Sequence, residues 1–574
     1  MAMRDAIGYS SGLDGNALDE SRHHISHVPS EPAPAVLIPG FLAPDCECPW
    51  GPLDDVQNDL LRAARRRMSA LDEPISRPSL SKRRRLIYVF PGQCSSVHDR
   101  ACEVFYQLKG GRVDYGEQHS QEYGHDRYGR YYEGLYPQWD QDHPLHFVGH
   151  SLGGPTLYKL QELLAAGHLT YTRPNGSMAR PNEHWILSLT GISAPFRGTT
   201  AVYLLGARPA PHVKGSVRVL SFGGILYRLL HLYQYFVPLY IQRHIYDLKV
   251  EHWGFGRRSS LLQCLIQSPW AEGTDNAPYD LTVQARWDDW EGGKEGRKKW
   301  KGVGTRTWYR TYATSMTSSS PLRQSTDVNS QPYHIPTFWP LVMTLLQAPW
   351  QFFKSFPLIV LALFVGHYNV SPFQSSHVTD ASDIDSEKAK LATEHANAFR
   401  IHEWYENDGL VSKIAQYHPG TCEGCYSKQQ RRRSLELDME PFCYHRKGLQ
   451  DDIWRCPVPQ AQRSERQSPR ASKPPSPDLG QYSLPSPPNS RSCSPTNHRF
   501  SQDMLEGIFW AEPQPCPVTY PEKPATWYVT ELEGISHLDL CIWNGRRIQW
   551  EFWQDVFTYL AKVDYWWMEL QHEL

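Results

Sequence analysis

The stretch from Leu145 to Ala166 constrains this 574-residue chain more than any other. An apolar run, Leu145 to Val148, meets Gly149-His150-Ser151-Leu152-Gly153, and a helix-forming run from Leu157 to Ala166 follows. Glycines on both sides of Ser151 let strand turn sharply into helix, so the hydroxyl stands exposed on a tight turn. The amide of the next residue, Leu152, then points to where an oxyanion forms during acyl transfer. A serine held this way needs a strand before it and a helix after it, which makes the fold class α/β.

Other segments supply the sheet. Strands are predicted from Ala35, from Leu86, over Leu145–Val148, Trp185–Thr190, Thr307–Tyr312 and Thr526–Thr530, with helical stretches between them. Such alternation predicts a mostly parallel central sheet with helices on both faces. Residues 1–32 are polar and turn-rich and read as a disordered tail, and 33–427 as the core. Residues 428–518 hold a Ser/Pro-rich stretch that cannot bury enough apolar area to offset chain entropy, so they read as a disordered insertion. Residues 519–574 rejoin the core and end in an aromatic-rich helix from Arg547 to Leu574.

A formal net charge of −2 gives no global field for nucleic acid. The basic runs Arg65–Arg67 and Lys82–Arg85 read as solvated faces. Twenty Trp and thirty-one Tyr suit a surface that meets apolar ligands. The first residues, Met1-Ala2-Met3-Arg4-Asp5, have no apolar signal-peptide core, and twelve irregularly spaced cysteines make no disulfide framework. The expected setting is intracellular, cytoplasmic or peripheral on a lipid surface. Cys422 and Cys425, with Cys443 and His445, are spaced too loosely for a zinc ribbon and read as unrelated thiols.

Two apolar regions need a role. Leu220 to Ile241 carries Leu226, Leu229, Leu230 and Tyr233 at helical spacing behind the pair Gly223-Gly224, and reads as an amphipathic helix on a hinge. Phe338 to Gly366 has one charge, Lys354, and is broken by Pro340, Pro349 and Pro357. Its unbroken end, Leu358 to Val365, is far short of the roughly 20 residues that span a bilayer. One crossing there would also part Ser151 from everything after Val370, so the segment is expected to lie on a membrane or cover a pocket.

A serine nucleophile needs a base, and the base needs a carboxylate to fix its tautomer. Hydrolases built on such sheets keep the order Ser, Asp/Glu, His. Asp408 follows Glu406-Asn407 and precedes Gly409, a turn able to present a carboxylate at a strand end. His537 lies just after the Thr526–Thr530 strand and before the last helix. Spacing alone leaves both assignments open among twenty-five histidines and many acids.

The residues also resemble a family, the staphylococcal and Geobacillus-type true lipases. The blocks that carry the resemblance are Ser95–Glu103, Gly111–His119, Tyr123–Arg130, Gly149–Gly154, Ile192–Thr200, Tyr246–Gly254, Glu406–Gly409 and Ser536–Asp539, in one order. The resemblance implies an α/β-hydrolase fold with a helical lid (about 200–260) and a zinc-clamped extra subdomain. It implies Ser151 as nucleophile, Asp408 as orienting acid, His537 as general base, and an oxyanion hole from the amides of Phe41 and Leu152. Pro39 stands where the family has histidine, which leaves the amide donor of Phe41 intact. A structural zinc held by Asp99, His119, His125 and Asp275 is implied too. The family's calcium site is not carried over, because Asp539 lacks the residues that follow it in the family and has Asn544 nearby instead.

The implied activity is that of a lidded lipase on acylglycerols, bound peripherally at a lipid interface, with Trp253 adding binding area near the groove. A phospholipase, a soluble esterase and an acyltransferase use the same triad and stay open, as does a non-enzymatic lipid-surface scaffold. The region of about 316–400 has little counterpart in the family. Acyl-chain preference and oligomeric state are not legible.

Overall fold

The computed structural model describes residues 31–70, 82–173, 175–208, 217–218, 220–255, 260–266, 268–286, 304–319, 334–336, 349–366, 368, 404–420, 443–449 and 522–573. The chain divides into a unit of Met1–Ile453 with Glu522–Leu574 and a second, Trp454–Pro521, which lies wholly outside the described residues. So do the predicted N-terminal tail up to residue 30, most of the predicted insertion, and Cys422 and Cys425.

Seven strands build one sheet: β1 (Ala35–Ile38), β2 (Leu86–Tyr88), β3 (Leu145–His150), β4 (Ile186–Ile192), β5 (Trp308–Ser315), β6 (Cys443–Lys447) and β7 (Trp527–Glu533). Their spatial order is β6-β7-β5-β4-β3-β1-β2 and every pairing is parallel. Strands β3, β4 and β5 are buried at every residue, as parallel strands covered on both faces must be. This is the α/β-hydrolase architecture that the sequence implied.

Side chains alternate across the sheet and meet different helices on its two faces. Val36, Ile38, Phe147 and Leu189 share one apolar core with Phe105 and Leu108 of α2 (Val97–Lys109) and with Leu157 and Leu160 of α3 (Gly153–Ala165). On the other face α1 (Leu53–Ala70) packs with the closing helix, Arg547–Glu573. There His146 Nε2 lies 3.0 Å from Asp564, and the Tyr312 hydroxyl donates to Asp555 at 2.6 Å. Arg84 is buried against the same Asp564, so this member of the basic run is a core ion pair and no part of a solvated face.

Two further expectations need correction. Strand β6 falls inside the segment read as a disordered insertion, and it pairs with β7 from Cys443 opposite Trp527 to Lys447 opposite Glu531. Its five residues carry three basic side chains, so composition hid a strand that needs to bury only one face at the sheet edge. Of the apolar region Phe338–Gly366, residues 338–348 lie outside the described residues and the remainder forms a helix, Pro349–Val365, with Pro357 inside it. Leu358, Ala362 and Val365 are buried, and the helix packs on Ala201–Leu204. Among the described residues no helix is long and apolar enough to cross a membrane.

Candidate active site

Ser151 sits between β3 and α3 with φ at +53°, a backbone conformation that a residue with a Cβ adopts only when its surroundings force it. Here they do. The Ser151 amide is tied to the Ile192 carbonyl at 2.9 Å, and the Gly154 amide returns to the Ser151 carbonyl at 3.0 Å. A Cβ on Gly153 would stand 2.5 Å from the Ile38 carbonyl oxygen, so only glycine lets α3 start this close to β1.

His537 and Asp408 come to this serine from distant loops. His537 Nε2 is 2.9 Å from Ser151 Oγ, and His537 Nδ1 is 2.9 Å from Asp408 Oδ2. The His537 amide also donates to the Asp408 carbonyl at 2.9 Å, so backbone and side chain hold the two loops in one register. Asp408 is fully buried. Its Oδ1 accepts from the amides of Leu410 (3.0 Å) and Val411 (2.8 Å), and its Oδ2 from Thr314 Oγ1 (2.9 Å) and Gln416 Nε2 (3.1 Å) as well as His537. A carboxylate so surrounded by donors is held in one orientation. Thr314 and Gln416 gave no sequence signal, because Thr314 lies 94 residues away and Gln416, though only eight away, belongs to no recognisable spacing.

The loop bearing Phe41 passes directly over the serine: a Cβ on Gly40 would lie 2.7 Å from Ser151 Cβ. Phe41 packs against the same apolar cluster as Leu152. Where the family has histidine, the carbonyl of Pro39 accepts from Arg100 Nη2 at 2.7 Å. Arg100 is fully buried and also donates to the Gly92 carbonyl and to Thr156. Burial brings its guanidinium down to about 10, still charged at neutral pH. Arg100 thus braces the Pro39–Phe41 loop against α3, a role that the sequence reading missed. His150, beside the nucleophile, is buried with its Nε2 2.9 Å from the His537 carbonyl, and burial together with His537 lowers it to about 3.

The segment read as a hinged helix forms two helices, α4 (Phe222–Phe236) and α5 (Leu239–Ile245), because Pro238 starts the second. Ser221 caps α4 by accepting from the Gly224 amide. The inward face differs from the predicted stripe: Gly224, Tyr227 and His231 are buried, while Leu229 is exposed. His231 takes the core position because its Nε2 meets Ser268 Oγ at 2.7 Å, and burial lowers it to about 4. Phe222, Ile225, Leu229 and Phe236 are left facing solvent, joined by Tyr240, Ile245, Leu262 and Ile266. Trp253 is no part of an open groove; it is buried 5.2 Å from the His125 ring.

Asp99, His119, His125 and Asp275 do converge. One ligand atom from each lies within 4.8 Å of all the others. His119 lies within a short helix, Glu117–Tyr123, and His125 just beyond its end, between the strands of an antiparallel hairpin, Gly111–Asp114 with Tyr128–Tyr132. His119 Nε2 is 3.2 Å from Asp99 Oδ1 and 3.3 Å from Asp275, and His125 Nε2 is 3.4 Å from Asp275 Oδ2. Yet Asp99 Oδ1, His119 Nε2, His125 Nε2 and Asp275 Oδ2 are buried without a hydrogen bond, because they aim at a shared centre and not at one another. Around them His252 Nε2 meets Asp99 Oδ2 at 3.0 Å and His125 Nδ1 meets the Asp126 carbonyl at 2.9 Å, contacts that fix the orientation of both side chains. Burial alone would raise the Asp99 carboxyl, but His119 and His252 outweigh it and hold it well below the usual range. Asp539, weighed for calcium, is engaged by Arg546 Nη1 at 3.1 Å.

With this geometry in view, the comparisons with known proteins agree. The family described as the lipase-like C-terminal domain matches residues 92–330, which include Ser151 and the Asp/His cluster but stop short of Asp408 and His537. The chain is 33% identical to a lipase of Staphylococcus hyicus over 201 residues, which are 33% of this chain and 28% of that protein. It is 28% identical to Lipase 1 of Staphylococcus aureus (strain Mu50) over 340 residues, 56% of this chain and 38% of that one. It thus spans well under half the length of these relatives. The crystal structure of the Staphylococcus hyicus lipase matches with a TM-score of 0.50 at 20% identity, over 93% of this chain and 96% of that one, a likeness of fold.

Proposed function

We propose that the chain, which resembles the staphylococcal lipases over part of its length, is a serine lipase that hydrolyses carboxylic esters of acylglycerols at a lipid interface. The observation that carries this reading is the pair of 2.9 Å contacts from His537, one to Ser151 and one to Asp408. His537 accepts the Ser151 proton through Nε2 as Oγ attacks the ester carbonyl, and Asp408 steadies the imidazolium that forms. The amides of Phe41 and Leu152 receive the oxyanion. His537 returns the proton to the leaving alcohol, and water releases the acid by the same route.

Helices α4 and α5 act as the lid, and their outward apolar face is what an interface would take up. Asp99, His119, His125 and Asp275 suit a structural zinc, since two neutral imidazoles and two carboxylates are ordinary donors to that ion and four of their atoms lack other partners. Bound there, zinc supplies no chemistry to the ester; it ties the hairpin subdomain to α2 and to the loop of Asp275. The test is fatty-acid release from emulsified long-chain triglyceride beside a soluble short-chain ester, with the native chain and Ser151→Ala. Activity on the emulsion that is lost in the variant supports the proposal. Activity on the soluble ester alone contradicts the lipase assignment, and activity on neither contradicts the enzyme.

A further inference from the structure

A second cluster of metal-ligating side chains lies at the β6 edge of the sheet. Cys443 and His445 are two residues apart on one strand, so they project to the same side. His418 reaches them from the segment that follows the acid loop, and one donor atom from each of the three lies within 4.8 Å of the other two. Bonds of about 2.0 Å to nitrogen and 2.3 Å to sulfur separate tetrahedral ligands by roughly 3.5 Å, so closing on an ion takes side-chain shifts of about an ångström.

The surroundings of both rings are those of metal-bound imidazoles. His418 Nδ1 meets the Pro419 carbonyl at 2.6 Å, and His445 Nδ1 lies 3.4 Å from the Glu531 carboxylate. A carbonyl and a carboxylate behind Nδ1 fix the tautomer that carries its lone pair on Nε2. His418 is fully buried and Cys443 nearly so, which excludes the water competition that weakens exposed His pairs. The donor set, one sulfur and two imidazole nitrogens, suits a borderline-soft tetrahedral cation. Arg197 Nε donates to the His418 carbonyl at 3.0 Å, which holds the backbone of that ligand in place.

We propose that His418, Cys443 and His445 form a second metal site, for zinc(II), separate from the cluster at Asp99. The site joins β6 to the segment that carries the catalytic acid. Gln416, two residues before His418, donates to Asp408 Oδ2, so an ion on His418 steadies that donor from behind.

The experiment uses the full chain freed of metal and titrated with cobalt(II) as a spectroscopic probe for zinc. The Asp99 cluster offers only nitrogen and oxygen, so a thiolate-to-cobalt charge-transfer band reports a cysteine ligand and does not depend on ester hydrolysis. The expected result is such a band in the native chain, persisting in His119→Ala and weakened or lost in Cys443→Ser. Elemental analysis of the zinc-loaded chain should show one ion fewer in His445→Gln, whose half-buried edge position keeps the fold intact even if Cys443→Ser disturbs the core. A folded native chain without the band overturns the proposal, as does an unchanged band and zinc content in both variants.

Discussion

Replacing Asp408 by asparagine changes one atom and exposes how the triad is held. The native carboxylate accepts five hydrogen bonds, two backbone amides at Oδ1 and Thr314, Gln416 and His537 at Oδ2. Asparagine has one acceptor oxygen. Turned toward His537, its NH2 faces the amides of Leu410 and Val411; turned toward them, it faces three donors. At about 1.5–3 kcal/mol for each lost bond to a charged acceptor, the first arrangement forfeits roughly 3–6 kcal/mol of stability as an upper bound. The second leaves His537 in the wrong tautomer, which costs about 10⁴ in kcat, or about 5 kcal/mol of barrier. The assay is kcat on a soluble short-chain ester, run below the melting temperature of the variant as fixed by circular dichroism. A folded Asp408→Asn that keeps more than about a tenth of native kcat and also loses less than about 3 kcal/mol of stability would refute the reasoning, because neither arrangement of the amide escapes both costs.

Other predictions concern different parts of the molecule. Burial, with Arg84 close by, holds His146 down at about 4 against its ordinary 6.5. The unfolded chain therefore takes up this proton first as pH falls, and the associated stability, on the order of 3 kcal/mol, is intact above pH 6.5 and lost by about pH 4. Denaturant midpoints measured across that window should fall less steeply in His146→Gln. Gly153→Ala should abolish ester hydrolysis or folding, since its Cβ would press to 2.5 Å of the Ile38 carbonyl; an active, stable variant contradicts the packing at the elbow. Zinc at a hundred times its Kd should stabilise the native chain by about 2.7 kcal/mol per site, and His119→Ala should lose one such increment in a thermal melt. Serine at Phe222, Leu229 and Phe236 together should lower the ratio of emulsion to soluble-ester activity, and an unchanged ratio would exclude that face from the interface.

Much of this was legible wherever local chemistry and backbone geometry agree. The elbow shows in sequence because glycine placement and the switch from strand to helix serve one backbone constraint. The sheet shows because parallel strands buried on both faces leave continuous apolar runs, as in β3 and β4. What stayed hidden depends on partners far along the chain. Arg84 looks like one more solvated cation until Asp564 arrives some 480 residues later. His231 joins Leu230 and Tyr233 on the inward face of α4, while Leu229 is left outside, because Ser268 supplies its hydrogen bond. Strand β6 carries no apolar alternation, since an edge strand can rest on its neighbour and on tertiary contacts. His418 had no spacing to mark it as a companion of Cys443 and His445, and only the topology brings them together.

The most direct test of the central claim is active-site labelling of the native chain with an alkyl fluorophosphonate, followed by peptide mass spectrometry. The account predicts a single adduct on Ser151, formed far more slowly in His537→Ala. An adduct on another serine, or labelling of Ser151 at the same rate without His537, would contradict it.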